Sequence, residues 1–191
     1  MYALPPAPAS PPRRQVLVGT AVASVAAVML MGGMLGVFIL QRERLPDGEL
    51  WVPQGVTIPG VPTNVMLITF GALALFAQWA VHAARRRDRM HLGLALGLVA
   101  VLGLAIINAQ VYVYSRMNMP VAETAYAGMF YAITGVMVVL VAVGVMFCGI
   151  TAFRVLGGRD SDQEIVAAHA LYWYAISAAF AALWLIVFVT K

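Results

Sequence analysis

The sequence predicts an all-α integral membrane protein built as a bundle of five transmembrane helices. Of its 191 residues, 62% are hydrophobic and only 10% are charged, which is more apolar material than a soluble domain of this length requires. The apolar residues form five runs, each long enough to cross the roughly 30 Å hydrocarbon core of a bilayer as a helix. Polar, proline-bearing or arginine-rich segments separate these runs.

The chain divides into a tail and one membrane domain. Residues 1–15 are rich in proline and alanine, a composition that predicts a disordered tail. The apolar run after it is too long for a signal peptide and has no small-residue cleavage site, so we expect a retained helix. The membrane domain covers residues 16–191. Its helices are expected at residues 16–40, 61–84, 92–115, 123–156 and 165–190. The fourth exceeds a simple span, so it must tilt or project from the bilayer.

The distribution of basic residues predicts the orientation of the bundle. One side of the predicted membrane carries Arg13, Arg14, Arg85, Arg86, Arg87, Arg89, Arg154 and Arg159, and the other carries Arg42, Arg44, Arg116 and Lys191. The positive-inside rule then places the N-terminus in the cytoplasm and the C-terminus outside. The net charge of +4 is accounted for by this asymmetry, and no nucleic-acid partner is predicted. The consecutive Arg85, Arg86 and Arg87 are mainly a topological signal, with a lipid-headgroup site as the alternative.

Ionisable side chains are missing from the middle of every predicted helix. Such residues are costly in a bilayer and mark functional sites when they occur. Glu123 and Glu164 fall at helix entrances, where a carboxylate complements the helix dipole. The polar residues within the spans are neutral: Thr20, Ser24, Thr69, Gln78, Asn108, Gln110, Thr134, Thr151 and Ser177. The pattern therefore predicts no catalytic, cofactor-binding or metal-binding residue.

The chain has three histidines and one cysteine that could bind a metal ion. His82 and His169 fall near the arginine-rich side, and His91 lies in the basic loop. We expect all three to snorkel at the interface. A metal site between His82 and His169 is the alternative, but no carboxylate or thiolate lies at ligand spacing. The single Cys148 excludes an intrachain disulfide.

Small and aromatic residues predict where helices pack. Gly32 and Gly36 are four residues apart, a spacing that permits close approach of helices. The fourth helix has similar flat patches at Gly128, Gly135, Gly144 and Gly149. The last helix carries "YWYAIS". We expect its aromatic side chains to pack against helices or a partner, with the hydroxyls bonded to a neighbouring helix or water. These aromatic residues are Tyr172, Trp173 and Tyr174.

Five segments occur in an order and at a spacing that match a known family. They are "VGTAVASVAAVMLMGGMLGVF", "VPTNV", "AQVYVYSR", "AYAGMFYAITG" and "YWYAIS". From about Val18 to the C-terminus, the chain resembles subunit III of the haem-copper cytochrome c oxidases, in the short bacterial form with five helices. The fourth segment is the best match, with five residues in register: Tyr126, Phe130, Tyr131, Thr134 and Gly135.

The chain departs from this family where the family carries polar and ionisable side chains. The family has a carboxylate in its first helix, a glutamate in its third, two histidines in its fourth, and a histidine and an aspartate in its last. The matching positions here are Ala27, Val113, Met137, Leu140, Tyr174 and Ser177. If only a docking role persists, apolar replacements are neutral or stabilising, because buried charges cost free energy unless they are paired.

The resemblance implies a non-catalytic accessory subunit that packs beside the catalytic subunit of a respiratory oxidase and binds phospholipid. Haem and copper are then expected in the partner subunit and not in this chain, and the location is a bacterial plasma membrane. Two alternatives remain open. One is an accessory subunit of a nitric oxide reductase-type complex. The other is a small stand-alone carrier or permease with a neutral polar path formed by Asn108, Gln110, Thr134 and Ser177.

Overall fold

The computed structural model describes residues 14–46, 49–117, 119–121, 123–157 and 163–190. Most of the predicted tail, residues 1–13, lies outside these ranges. The described part contains five long helices and a final π-helical turn: α1 (Gln15–Glu43), α2 (Gly60–Arg85), α3 (Arg89–Met117), α4 (Ala125–Leu156), α5 (Gln163–Leu183) and the turn Trp184–Val189. All five helices are long and apolar enough to cross a membrane. The prediction of an all-helical chain with five potential membrane spans is confirmed.

Helix α5 is the centre of the bundle. It packs against α1, α2 and α4, while α3 packs against α2 and α4, and α1 also touches α4. Successive helices run in opposite directions, so one end of the bundle collects Arg14, Arg85 to Arg89 and Arg154. We call this the arginine end, and the other the distal end. Helices α1 and α2 both pack on α5 but make little contact with each other.

The short turn between α2 and α3 is closed by its own backbone and by one carboxylate. Arg87 adopts a left-handed conformation with φ of 56°. The N–H of Arg87 donates to the carbonyl of Ala84, and the N–H of Asp88 donates to that of Ala83, the pattern of a Schellman motif. The side chain of Asp88 then caps α3 by accepting the N–H of His91 at 3.1 Å. The basic loop is therefore a built turn as well as a topological signal.

This cap predicts an acid dependence of stability. The pKa of Asp88 is held below its usual 3.8 because the backbone N–H of His91, and then its ring, bond to the carboxylate. Since the folded-state pKa is the lower one, the contribution is present above about pH 4 and is lost as pH falls through the lowered value. Asp88→Asn retains a capping oxygen but removes this titration. We therefore expect the thermal unfolding midpoint of this variant, measured in detergent, to fall less below pH 4 than that of the unsubstituted chain. Identical acid profiles for D88N and the unsubstituted chain would contradict the prediction.

Two polar side chains at helix starts have different roles. Thr124 precedes α4 and accepts the N–H of Ala127 at 3.1 Å, which satisfies one of the free donors of the first turn. Glu164 lies in the first turn of α5, as expected, but its carboxylate accepts the N–H of Leu17 at 3.0 Å. It thus caps the start of α1, a helix 147 residues away in the sequence.

Candidate functional site

The "YWYAIS" segment lies on α5, and Trp173 is the largest side chain fully buried in the bundle. Gly144 of α4 makes room for its indole, because a β-carbon placed there would lie 2.7 Å from Cζ2 of Trp173. A β-carbon placed on Gly103 of α3 would lie 2.6 Å from Cγ2 of Val145 on α4 and 3.4 Å, an ordinary contact distance, from Cη2 of Trp173. The missing side chain at Gly144 therefore lets α4 close on α5 around the ring, and the one at Gly103 lets α3 close on α4. Gly103 was not among the predicted packing glycines, because no spacing motif marks it.

His169 lies one turn before Trp173 and is fully buried. The expectation that it snorkels at the interface is wrong, because it has a polar partner inside the bundle. Nε1 of Trp173 donates to Nε2 of His169 at 2.9 Å, so the imidazole accepts at Nε2 and carries its proton on Nδ1. Nδ1 has no partner among the described residues. His82, by contrast, is exposed.

The two tyrosines of the segment bond to different helices. The hydroxyl of Tyr172 is directed into the bundle and donates to the carbonyl of Leu140 on α4 at 2.7 Å. The hydroxyl of Tyr174 donates to Oε1 of Gln78 on α2, and 37% of the Tyr174 side chain remains exposed. The expected bonding of these hydroxyls to neighbouring helices is confirmed. Tyr174 is the one aromatic residue of this segment that reaches the surface of the described bundle.

Three of the positions at which the resemblance implies a lost ionisable side chain face the interior. Ala27, Val113 and Met137 are all buried. One turn before Val113, Gln110 is also buried, and its Nε2 has no partner among the described residues. An ionised side chain introduced among these apolar neighbours would cost free energy unless it were paired. The residues present therefore suit an interior held together by packing.

The four neutral side chains considered for a polar path lie in different surroundings. Asn108 is exposed and Gln110 buried. The hydroxyl of Thr134 donates to the carbonyl of Phe130 at 2.6 Å and also bonds Tyr114. Ser177 donates to the carbonyl of Phe70 at 3.2 Å. These bonds use the hydroxyls to tie the bundle together, as neutral polar groups do in membrane helices.

Titratable groups do not gather into a metal site in the described part of the chain. Among those residues, no three histidine, cysteine, aspartate or glutamate side chains are placed to hold a metal ion. Cys148 is buried, and its thiol donates to the carbonyl of Leu96 on α3 at 3.3 Å. This interaction links α4 to α3.

The glycines predicted to contact a partner are open. A β-carbon placed on any of four positions would meet no atom within 4 Å outside its own helix turn: Gly32, Gly36, Gly128 and Gly135. Because α1 ends and α4 begins at the distal end, all four lie in the distal half of the bundle. At 1.5 Å per residue, each is within roughly 17 Å of that end.

The three consecutive arginines have different surroundings. Arg85 lines a groove between α1, α2 and α5, of about 520 Å³ and mainly apolar. Arg86 is exposed, and Arg87 is the left-handed residue of the α2–α3 turn. The groove opens on the side of the bundle where α1 and α2 leave a gap. Its wall consists of Leu17, Val18, Ala21, Gln78, Val81, Arg85, Ala167, Ala170, Leu171 and Tyr174.

Comparison with known proteins gives a consistent result. A family model described as cytochrome c oxidase subunit III matches residues 19–191. Three relatives named cytochrome c oxidase subunit 3 illustrate the similarity. The protein from Synechocystis is 24% identical over 86% of this chain and 71% of its own length. Those from Strongylocentrotus purpuratus and Xenopus laevis are 28% and 26% identical over 66% and 75% of this chain. The chain spans about half the length of these two relatives, 50% and 55%.

Proposed function

Because the chain belongs to the cytochrome c oxidase subunit III family, we propose that it is a non-catalytic accessory subunit of a respiratory haem-copper oxidase. The observation that carries this proposal is the family match over residues 19–191, which includes nearly all of α1 and the whole of the other four helices. The chain is a multi-pass membrane protein. In the proposal it lies in a bacterial plasma membrane, with the arginine end in the cytoplasm. Haem and copper belong to the partner subunits.

The interior of the bundle supports a role in assembly and not in chemistry. Its largest buried group is an indole held by glycines and a histidine. Apolar residues occupy the inward positions 27, 113 and 137. Such an interior gives a rigid body with defined surfaces, which is what a docked subunit requires. The proposed contribution to the oxidase is stability of the complex, together with binding of phospholipid at the subunit's surface.

The open glycines are the proposed docking surface. Without side chains, Gly32 and Gly36 allow a partner helix to approach the backbone of α1 closely, and close packing is a main source of helix association in membranes. Gly128 and Gly135 provide the same feature on α4, in the same half of the bundle. Because nothing in the described chain covers these four positions, larger side chains there should leave the fold intact and obstruct only a partner.

This docking surface predicts the behaviour of glycine variants. In Gly32→Leu/Gly36→Leu we expect co-purification with a haem-containing catalytic subunit to fall at least tenfold, because leucine separates helices that glycine lets touch. The control is Gly71→Leu/Gly97→Leu on α2 and α3, two exposed glycines that also have no atom within 4 Å of a β-carbon. Each tagged chain is purified in mild detergent, and haem absorbance per chain is measured.

The control pair defines the outcome that would contradict this surface. Equal haem recovery for both pairs and for the unsubstituted chain would place the contact elsewhere. Equal loss in both pairs would indicate general damage to the bundle, and the docking surface would have to be abandoned. A nitric oxide reductase recovered in place of an oxidase would replace the proposed partner.

A further inference from the structure

Arg87 occupies a backbone position that costs an arginine free energy. It follows α2 in the Schellman motif of the α2–α3 turn and has a φ of 56°. In this left-handed conformation the β-carbon of any residue other than glycine crowds a backbone carbonyl oxygen, and glycine is therefore the usual residue at this place in the motif. Among the described residues, Arg87 is the only one besides glycine with a positive φ.

Contacts of the Arg87 side chain do not offset this strain within the described chain. Its guanidinium is exposed and forms no hydrogen bond or ion pair with a described residue. The two described carboxylates at the arginine end are already engaged, because Asp88 bonds to His91 and Glu164 accepts the N–H of Leu17. The positive charge of Arg87 is therefore available to a group outside the described bundle.

Membrane orientation does not explain the position of this arginine either. Arg85, Arg86 and Arg89 of the same turn already supply positive charge on this side, and the positive-inside rule depends on the number of charges and not on where each one lies. A glycine at position 87 would leave that signal in place and relieve the strain. A strained residue whose side chain is not needed for folding or topology supports a function for that side chain.

Arg87 lies at the end of the bundle and not on its lipid-exposed flank. It lines a shallow hollow where α2 and α4 end and α3 and α5 begin, formed by Ala84, Arg87, Arg89, Leu92, Val155, Gln163 and Val166. The volume of the hollow is about 20 Å³, little more than a single water molecule needs. It cannot enclose a small molecule, so a ligand must bind to the positively charged surface around it.

We propose that Arg87, together with the neighbouring Arg86, binds carboxylates of an acidic segment in a partner subunit that covers the arginine end of the bundle. A guanidinium pairs with a carboxylate through two parallel hydrogen bonds of fixed geometry. A turn that fixes the position of the guanidinium suits a protein partner of defined shape, whereas lipid headgroups are mobile and surround the flank. The inference rests on the proposed role as an accessory subunit, but its surface lies at the end opposite to the open glycines.

A first test uses the scarcity of lysine in the chain. Lys191 is the only lysine, and it falls on the other side of the predicted membrane. Arg87→Lys therefore places a side-chain amine in the α2–α3 turn, and a carbodiimide joins an amine to a carboxylate that contacts it. Membranes that contain the tagged full-length variant are treated with this reagent, and mass spectrometry maps the linked peptides.

We expect Arg87→Lys to be linked to an aspartate or glutamate of a partner subunit. The control is Arg44→Lys, at an exposed position of the distal end, which should not be linked to that segment. Links confined to this chain, or no link at all, would overturn the inference. Recovery of a haem-containing catalytic subunit without such a link would leave the proposed function standing, whereas a link to a subunit of an unrelated complex would contradict the proposed function alone.

A second test, Arg87→Gly, separates binding from folding. Glycine relieves the strain and removes no contact with a described residue, so we expect the thermal unfolding midpoint of the purified chain to rise. In the same variant, recovery of the partner subunit from membranes at roughly 0.15 M ionic strength should fall at least fivefold, because a charge-assisted pair is lost. The control Arg44→Gln removes the same charge at the distal end and should retain the subunit.

Three results with Arg87→Gly would contradict the inference. A lower unfolding midpoint would show that the guanidinium already has a partner within this chain. Unchanged recovery of every subunit would show that none of them depends on Arg87. Loss of bound phosphatidylglycerol without loss of a subunit would assign the side chain to a lipid headgroup.

Discussion

Replacing Trp173 with alanine is expected to destabilise the bundle by about 3–5 kcal/mol, the usual cost of removing a large buried aromatic side chain. The indole is fully buried and lies against Gly103 and Gly144, so three helices lose a common contact. Nε2 of His169 also loses its donor, which leaves a buried acceptor unsatisfied and adds to the cost. Thermal or denaturant unfolding of the purified chain in detergent measures the change.

Two further variants separate the contributions to this cost. Trp173→Phe keeps part of the ring volume and removes the N–H, so we expect an intermediate loss. Trp79→Ala serves as the control, because Trp79 is only partly buried and its ring neighbours are Phe76 and His91. A loss in W79A as large as that in W173A would contradict the central position of Trp173.

Gly144→Ala is the second variant with a large expected effect. The added methyl group would lie 2.7 and 2.8 Å from Cζ2 and Cη2 of Trp173 and 2.9 Å from Cε1 of Tyr172. These distances are too short for carbon atoms, so α4 must move away from α5, at a cost of about 1–3 kcal/mol. We expect a lower unfolding midpoint with the same helix content by circular dichroism.

The same helix provides a matched control. A β-carbon on Gly149 meets no atom within 4 Å, and alanine is a better helix former by about 0.5–1 kcal/mol. Gly149→Ala should therefore be neutral or stabilising. Combining Gly144→Ala with Trp173→Phe should shrink the penalty of the alanine, because phenylalanine lacks the Cζ2 and Cη2 atoms that clash. Simple additivity of the two changes would show that the glycine and the indole are not in contact.

The number of helices could be predicted because hydropathy and length suffice for it. The faces of these helices could not be predicted in the same way. Apolar residues surround nearly the whole circumference of α1, α3 and α4, as in "VGVMFCGI" of α4, so no amphipathic stripe shows which side is inside. Rotation of each helix is set by its neighbours. For that reason Gly103 and Gly144 differ from Gly32 and Gly36 only once the bundle is assembled.

The partners of buried polar groups were also only partly predictable from the sequence. His169 was expected at the interface because it falls near the arginine-rich side of the predicted membrane, yet Trp173 one turn later supplies a donor inside the bundle. That pairing is visible in the sequence as an i, i+4 spacing. The capping of α1 by Glu164 is not, because it joins residues that only the fold brings together. Likewise, only the fold shows that Arg85 lines a groove and that Arg86 and Arg87 do not.

The interior also bears on the role proposed for the chain. Ala27, Val113 and Met137, at positions where the resemblance implies ionisable groups in the family, are all buried. Each sits among apolar neighbours, so the present residues maintain packing without the cost of a buried charge. A subunit with this interior is suited to holding a partner and a lipid in place. The proposed function therefore depends on its outer surfaces, and these are what experiments should examine.

The most direct measurement of the central claim is purification of the tagged full-length chain from its own membranes in mild detergent, followed by a visible spectrum and mass spectrometry of the eluate. We expect haem absorption, together with the catalytic subunit of a haem-copper oxidase in fixed proportion to this chain. A colourless eluate that contains this chain alone, obtained again in several gentle detergents, would contradict the assignment as an accessory subunit.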